Sequence, residues 1–310
     1  MTLPRPMKAD DISNRYFNHD MNEDGSFFTG YQDHVIEPKM DGVRAYLLAR
    51  DGETRIVIAS SATIASHALP QLHGLEGMFD EILLDGELVI PGEPLGAIAG
   101  ALNATKRTAV LDHAIFYAFD LIHFNGNDLT SEPLTQRREA LEIISTLFPT
   151  GVHLVPQYAP SHQVADAIRN TGFEGFMLKA KDSRYYERRH KSWVKCKWLE
   201  TIDCFVTDWQ PGKGGYEGLV GSLHMSVMDE TGRAVEIGKH GVFPEKLRQE
   251  MSAPDGSLKP EWYGRVMELT YQDVGSNMRL RHPRLLRLRP DKEAIDCELT
   301  QLTQREYAHA

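Results

Sequence analysis

Lys39-Met-Asp-Gly-Val-Arg44 gathers an amine, a carboxylate, a glycine and a guanidinium within six residues, and Glu37 stands two positions before the lysine. A lysine amine is a covalent nucleophile only when neutral. Its reference pKa is about 10.4, so a site that uses it this way must favour the neutral form through burial, a neighbouring cation or a bound metal. The run from Val43 to Arg50 is rich in β-branched and apolar residues and predicts a strand. Lys39 then falls on a turn between two strands, its amine aimed into a cleft. Taken alone, the stretch reads first as a β-turn carrying surface charges.

Other chemistry-bearing residues follow at intervals. Asp85-Gly-Glu87 interrupts an apolar strand predicted over 81–90. Glycine inside a strand marks either close approach of a ligand or a bulge, here with exposed acids. Phe119 lies in an aromatic-rich strand predicted over 113–124, which ends at the turn signal Asn125-Gly126. It suits either a core or a base-stacking position. Glu174-Gly175 precedes a short apolar strand ending at Lys179. Side chains alternate along a strand, so Lys195 and Lys197 share one face, as an anion clamp or as a solvated edge that resists aggregation. Arg289-Pro-Asp-Lys292 reads as a charged turn.

The elements that must position these residues are legible in outline. Residues 1–33 are polar and turn-rich and read as a short N-terminal extension. Within them Asp20-Met-Asn-Glu-Asp-Gly25 has the look of a calcium loop but lacks the later glutamate at EF-hand spacing. Strands dominate from Val35. Helical spacing covers 134–148, stopped by Pro149, and 161–171, with Ser161 as N-cap. A boundary near Glu200 divides a first domain, 34–200, from a second, 201–310. In the second, short strands over 203–209, 221–228, 234–238 and 264–271 suggest a small barrel of the OB type.

Composition narrows the class. The chain has 310 residues, 41% hydrophobic and 25% charged, which is ordinary for a globular protein. It shows no transmembrane run and no signal peptide, and so no membrane partner is expected. Three cysteines, Cys196, Cys204 and Cys297, lack metal-ligand spacing and suggest free thiols in a reducing cytoplasm. The net charge of −10 weighs against nucleic acid as a partner, but binding needs only a local basic surface. Lys181, Arg184, Arg188, Arg189 and Lys191 crowd into one segment with Tyr185, Tyr186 and Trp193 interleaved, and Arg279, Arg281, Arg284, Arg287 and Arg289 form a second strip. Both suit phosphate contact.

In their order along the chain, these motifs resemble the covalent nucleotidyltransferase superfamily: ATP-dependent DNA ligases, RNA ligases and mRNA-capping guanylyltransferases. The resemblance runs from Val35 to Lys292. It rests on Lys39–Arg44, Leu84-Asp-Gly-Glu-Leu-Val89, Phe116-Tyr-Ala-Phe-Asp-Leu-Ile122, Glu174-Gly-Phe-Met-Leu-Lys179, Trp193-Val-Lys-Cys-Lys197 and Arg289-Pro-Asp-Lys292. Tyr117–Ile122 with Asn125-Gly, and the stretch 281–292, look most like DNA ligases, in particular the small phage and viral ones. The alternatives are a capping guanylyltransferase, which uses GTP, and an RNA ligase.

The resemblance implies an α/β (α+β) nucleotidyltransferase core with antiparallel sheets followed by an OB-fold barrel. It implies a monomer that seals nicks in double-stranded DNA, in a bacterial or phage-infected cytoplasm. Lys39 would attack the α-phosphate of ATP to give lysyl-AMP. The AMP would pass to the nick 5′-phosphate, and the 3′-hydroxyl would then displace it. Lys195 and Lys197 would hold the α-phosphate and depress the pKa of Lys39. Glu174 would bind Mg²⁺ or Mn²⁺, with Asp41 and Glu87 close by. Glu87 and Arg44 would fix the ribose, and Arg44 later the nick phosphate. Phe119 would stack on adenine, Glu37 would meet the base, and Lys179 would line the same pocket. Arg289, Asp291 and Lys292 would come from a mobile second domain to orient pyrophosphate. Arg188, Arg189 and Lys191 would meet DNA. Ser61 stands where related ligases place a nick-phosphate arginine.

Overall fold

The computed structural model describes residues 3–20, 26–93, 95–104, 108–275 and 277–302. Met21–Gly25 of the calcium-loop-like stretch lie outside them. The chain divides between Lys197 and Trp198 into two compact units.

The first unit contains, in order, β1 (Lys8–Asp11), α1 (Ser13–Asp20), β2 (His34–Lys39), β3 (Val43–Arg50), β4 (Glu53–Ile58), β5 (Glu81–Val89), α2 (Leu95–Asn103), β6 (Ile115–Phe124), β7 (Asn127–Asp128), α3 (Leu134–Ser145), β8 (Val152–Leu154), α4 (His162–Asn170), β9 (Gly175–Ala180) and β10 (Arg189–Lys197). They form two sheets. One has the order β1-β10-β9-β2, with β1 parallel to β10 and the other pairs antiparallel. The other has the order β4-β3-β5-β6-β7, antiparallel, with β8 alongside β6 in parallel.

Period-two alternation places the side chains of the second sheet. On β6, Phe116 and Ala118 are buried, packed with Leu141 and Ile144 of α3, while Tyr117 and Phe119 face the other way and stay half-buried. That other face carries Tyr46, Leu83 and Ile122, which pack with Met7, Tyr185 and Trp193. Trp193 sits on β10, so this apolar wedge joins the two sheets. Met7, Leu83 and Ile122, all fully buried, each contribute roughly 1.5–3 kcal/mol.

α4 begins where expected, with the Ser161 hydroxyl accepting the Val164 N–H at 3.2 Å. α3 ends at Ser145, short of the expected Phe148, because Leu147 and Phe148 turn back onto Ile144 and Ser145 in the tighter bonds that precede Pro149. The N-terminal residues are part of this unit: β1 extends the first sheet, and Met7 is fully buried.

The second unit contains β11 (Glu200–Pro211), β12 (Val220–Met228), β13 (Ala234–His240), α5 (Glu245–Met251), β14 (Val266–Tyr271), β15 (Asp273–Val274), β16 (Leu280–Arg281) and β17 (Arg284–Leu288). Its main sheet is antiparallel in the order β13-β12-β11-β14-β17. Among the described residues this ladder does not close, so the expected barrel is seen as an open five-stranded sheet. The edge strands meet through a side chain instead. The buried His240 ring donates from Nδ1 to the Pro283 carbonyl at 3.1 Å and accepts the Leu285 N–H at Nε2 at 3.3 Å. Burial holds its pKa below the usual histidine range, in keeping with the neutral ring that this pattern needs.

Candidate active site

A cavity of about 310 Å³ opens between the two sheets of the first unit, a size that suits a small-molecule ligand. Its lining comes from the N-terminal segment (Met7, Lys8, Ala9), β2 (Glu37, Pro38, Lys39), β3 (Arg44), β5 (Glu87), β6 (Phe119), β9 (Met177, Lys179) and β10 (Arg189, Trp193, Lys195).

Lys39 ends β2, opposite Gly175 of β9. A Cβ at Gly175 would stand 1.9 Å from the Cys196 carbonyl, so only glycine lets β9 approach β10 beside Glu174. Gly86 is required for a similar reason. A Cβ there would meet the Phe116 ring at 2.4 Å and the Tyr117 carbonyl at 2.6 Å. The close approach read from Asp85-Gly-Glu87 is therefore made by the protein's own β6. The bulge is present, since the β5–β6 register shifts between Asp85 and Gly86, but Asp85 is fully buried.

The Lys39 amine donates to the Glu174 carboxylate, whose other oxygen takes the Lys197 amine at 2.5 Å. Burial would lower the Lys39 pKa, but Glu174, Glu87 and Asp41 outweigh it and raise the pKa above the ordinary lysine value. This corrects the expectation that Lys195 and Lys197 depress it: in the free protein the carboxylates win, and the amine is a cation. Burial would raise the Glu174 pKa, and Lys39 with Lys197 hold it below the usual carboxylate range. Glu87 is pushed up to about 7, chiefly by burial, with Lys39 and Arg44 pulling the other way. Lys195 is held low by burial, with Lys197 and Lys39 adding to it and Asp11 and Glu174 opposing.

One wall of the cavity is a buried charge pair. Lys179 reaches the Glu37 carboxylate at 2.8 Å, with both side chains almost fully buried, and Gln157 donates to the same carboxylate at 2.6 Å. The Lys179 ammonium also lies 4.4 Å from the Phe119 ring centre and 4.2 Å from that of Trp193, distances at which an aromatic face attracts a cation. On the other wall the Arg44 fork grips Asp85, at 3.0 Å from Nε and 2.5 Å from Nη2, and Arg44 donates to the Met7 carbonyl. Tyr185 donates to Asp85 at 2.7 Å.

Three contributors lacked a usable signal in the sequence. Asp11 stands 3.7 Å from the Lys195 amine, and the Ser13 hydroxyl accepts the Lys197 N–H at 2.9 Å. Both depend on β1 lying parallel to β10, a non-local pairing. Gln157 was missed because it sits outside any motif.

The remaining predicted residues fall in several places. Asp41 and Glu174 line a smaller recess together with Glu93 and Tyr117. Arg188, Arg189 and Lys191 are exposed, and Arg189 donates to the Ala9 carbonyl. Ser61 lies in an exposed turn after β4, its hydroxyl on Thr63 at 2.8 Å. Arg289, Asp291 and Lys292 belong to the second unit, where Arg289 and Lys292 bind Asp203. Among the described residues no three His, Cys, Asp or Glu side chains converge as a metal cage, so Glu174, Asp41 and Glu87 form no preformed cluster. Carboxylate oxygens at Glu174 still fit Mg²⁺, which takes one or two carboxylates and fills its shell with substrate phosphates.

The family model described as ATP dependent DNA ligase domain matches residues 12–197, more than half of the chain. A DNA ligase of Methanoculleus marisnigri is 28% identical over 91% of this chain and 56% of its own length. A probable DNA ligase of Saccharopolyspora erythraea is 30% identical over 85% of this chain and 56% of its own. The chain thus spans about half the length of these relatives. Among solved structures, a Lig E DNA ligase superposes over 93% of this chain and all of its own, with a TM-score of 0.63 and 19% identity. The ligase domain of Mycobacterium tuberculosis LigD covers 95% of this chain and 97% of its own, with a TM-score of 0.51 and 24% identity. Both speak to the fold, a ligase catalytic core of mixed sheets with few helices.

Proposed function

Because the chain belongs to the ATP-dependent DNA ligase family, we propose that it seals 3′-hydroxyl/5′-phosphate nicks in duplex DNA, as a monomer, through a lysyl-AMP intermediate. The observation that carries this reading is the Lys39 amine at the edge of a nucleotide-sized cavity, bound to the one carboxylate it shares with Lys197.

The residues divide the work. Phe119 gives ATP a stacking face for adenine. Glu37, fixed by Lys179 and Gln157, offers a rigid acceptor to the base. Arg44 and Glu87 hold the ribose. Lys195 and Lys197 bind the α-phosphate oxygens and neutralise the charge that grows there. A divalent metal, Mg²⁺ or Mn²⁺, held by Glu174 near Asp41 and Glu87, would supply further charge neutralisation at phosphorus.

Lys39 must first lose its proton to solvent, and its nitrogen sheds a second one to solvent as the N–P bond forms. It is held as a cation by Glu174, so any ligand that takes over the Glu174 carboxylate weakens that hold and favours the neutral amine. The nitrogen then attacks the α-phosphorus. An N–P bond forms, the P–O bond to pyrophosphate breaks, and pyrophosphate leaves. In the second step the nick 5′-phosphate oxygen displaces Lys39. In the third the 3′-hydroxyl attacks and AMP departs. Arg289 and Lys292 orient the pyrophosphate in the first step.

We read residues 201–310 as an OB-type module following an adenylation domain over 34–200. The five-stranded antiparallel sheet and the His240 link between its edge strands support that reading. The exposed Arg188, Arg189 and Lys191 supply part of the DNA contact.

The test is incubation with α-labelled ATP or GTP, followed by a nicked-DNA sealing assay. Label from ATP on the protein and sealed DNA are expected. Label from GTP instead would favour a capping guanylyltransferase, and sealing of nicked RNA with no DNA product would favour an RNA ligase.

A further inference from the structure

Arg289 and Lys292 carry the part of the proposed reaction that handles pyrophosphate, yet neither side chain is held by its own turn alone. Both converge on Asp203 of β11. Its carboxylate is nearly buried, at 10% exposure, and accepts from Arg289 Nη1 at 3.0 and 3.1 Å and from Lys292 Nζ at 2.6 Å. The opposite edge of the Arg289 fork, Nε and Nη2, binds Asp291 at 2.8–3.2 Å. Arg287, on the same strip, takes Glu268 at 2.6 Å. The backbone of Asp203 is itself clasped by Gln301, which accepts its N–H at 3.0 Å and donates to its carbonyl at 3.2 Å.

Magnitudes separate this arrangement from the ordinary surface pairs nearby. An exposed ion pair contributes little and holds its side chains only weakly in one geometry. A carboxylate taken out of water must be matched by well-aligned partners, and removing one partner costs several times more. Asp203 is the second kind. It fixes one nitrogen of a planar guanidinium, Nη1, and the end of a flexible lysine stem at a single point, with Glu268 3.6 Å from the same Nη1 and Asp291 on the Nε–Nη2 edge.

We infer that Asp203 is the positioning residue for Arg289 and Lys292. It holds the two cations at the spacing at which they meet pyrophosphate, and it acts through them without touching the nucleotide. The inference rests on the ligase reading above. It places the requirement for Asp203 in lysyl-AMP formation and not in the closure of a nick that already carries AMP, a step with no pyrophosphate to orient.

The experiment compares wild type, Asp203→Asn and Asp203→Glu in single-turnover assays of protein labelling from α-labelled ATP and of closure of a pre-adenylylated nick. For Asp203→Asn the expected result is a labelling rate lowered about 10-fold or more, with a raised KM for ATP, and nick closure within about threefold of wild type. Asp203→Glu, which keeps the charge on a longer stem, should recover part of the loss. Nick closure also reports that each variant is folded. Equal losses in both steps would reduce Asp203 to a purely structural residue and overturn the inference, as would unchanged labelling by Asp203→Asn. Faster labelling by Asp203→Asn would overturn it in the opposite sense, making the carboxylate a competitor of the phosphates. If wild type takes no label from ATP, the ligase reading itself fails, an outcome distinct from all of these.

Discussion

Each unit of this protein holds a carboxylate between two cations, and the two arrangements behave differently. In the first, Glu174 binds the amines of Lys39 and Lys197 beside a cavity of about 310 Å³. Burial and neighbouring charges shift the groups around it: against burial, the carboxylates raise Lys39 and the lysines lower Glu174, while burial chiefly lowers Lys195 and pushes Glu87 up to about 7. In the second, Asp203 binds Arg289 and Lys292, with Asp291 closing the other edge of the guanidinium. An ammonium is a point charge on a flexible stem and changes partners readily. A guanidinium is a planar fork whose partners dictate its orientation. The first cluster is suited to exchanging its carboxylate for incoming phosphate, the second to keeping its geometry.

The sharpest test of that contrast is Lys39. Lys39→Ala and Lys39→Arg should both lower labelling from α-labelled ATP by about 10³-fold or more, since guanidinium stays protonated and is no nucleophile. Labelling retained by Lys39→Arg would mean that residue 39 only steers phosphate. Glu174→Ala comes next. It should slow both protein labelling and closure of a pre-adenylylated nick by about 10²-fold, because both are phosphorus transfers at the same carboxylate. A loss confined to one step would break the view of Glu174 as shared.

Lys292→Ala should separate the two clusters. A labelling loss of about 10²-fold with closure nearly intact is expected from single-turnover rates, and equal losses would erase the distinction. Glu87→Gln sharpens the electrostatic half of the comparison. A carboxylate whose folded pKa lies above its unfolded value contributes stability below the unfolded pKa of about 4.5, and that contribution is lost as pH rises through about 7. The melting temperature of Glu87→Gln relative to wild type should therefore rise by about 3 °C between pH 5 and pH 8. A pH-independent difference would show that burial does not hold Glu87 neutral.

The smallest effect concerns DNA. Affinity for nicked duplex should fall about 10-fold or more between 50 and 200 mM salt, and Ser61→Arg should strengthen it roughly twofold by adding one phosphate contact. Binding that ignores salt would remove the basic strips from the interface.

Much of this was legible along the chain, for a definite reason. β3, β5, β6, β9, α3 and α4 each carry their own periodicity and turn signals, so their places follow from local pattern, within a few residues at the ends. The residues gathered around Lys39 were legible too, because Lys39, Arg44, Glu87, Phe119, Glu174, Lys195 and Lys197 stand in compact motifs. β1 and the contacts that Asp11, Ser13 and Met7 make at the candidate site were not, since a four-residue strand has too short a pattern to announce a parallel partner about 180 residues away.

By itself the sequence determined which groups are available to this protein: the Lys39 amine, the carboxylates, the Phe119 ring and the cations. Only the tertiary structure decided their charge state and their partners. Whether Lys39 is neutral or protonated depends on the balance of burial against Glu174, Glu87 and Asp41. What holds Arg289 depends on Asp203, a residue 86 positions away. Both are set by distance and desolvation in the folded chain, and neither quantity exists along a sequence.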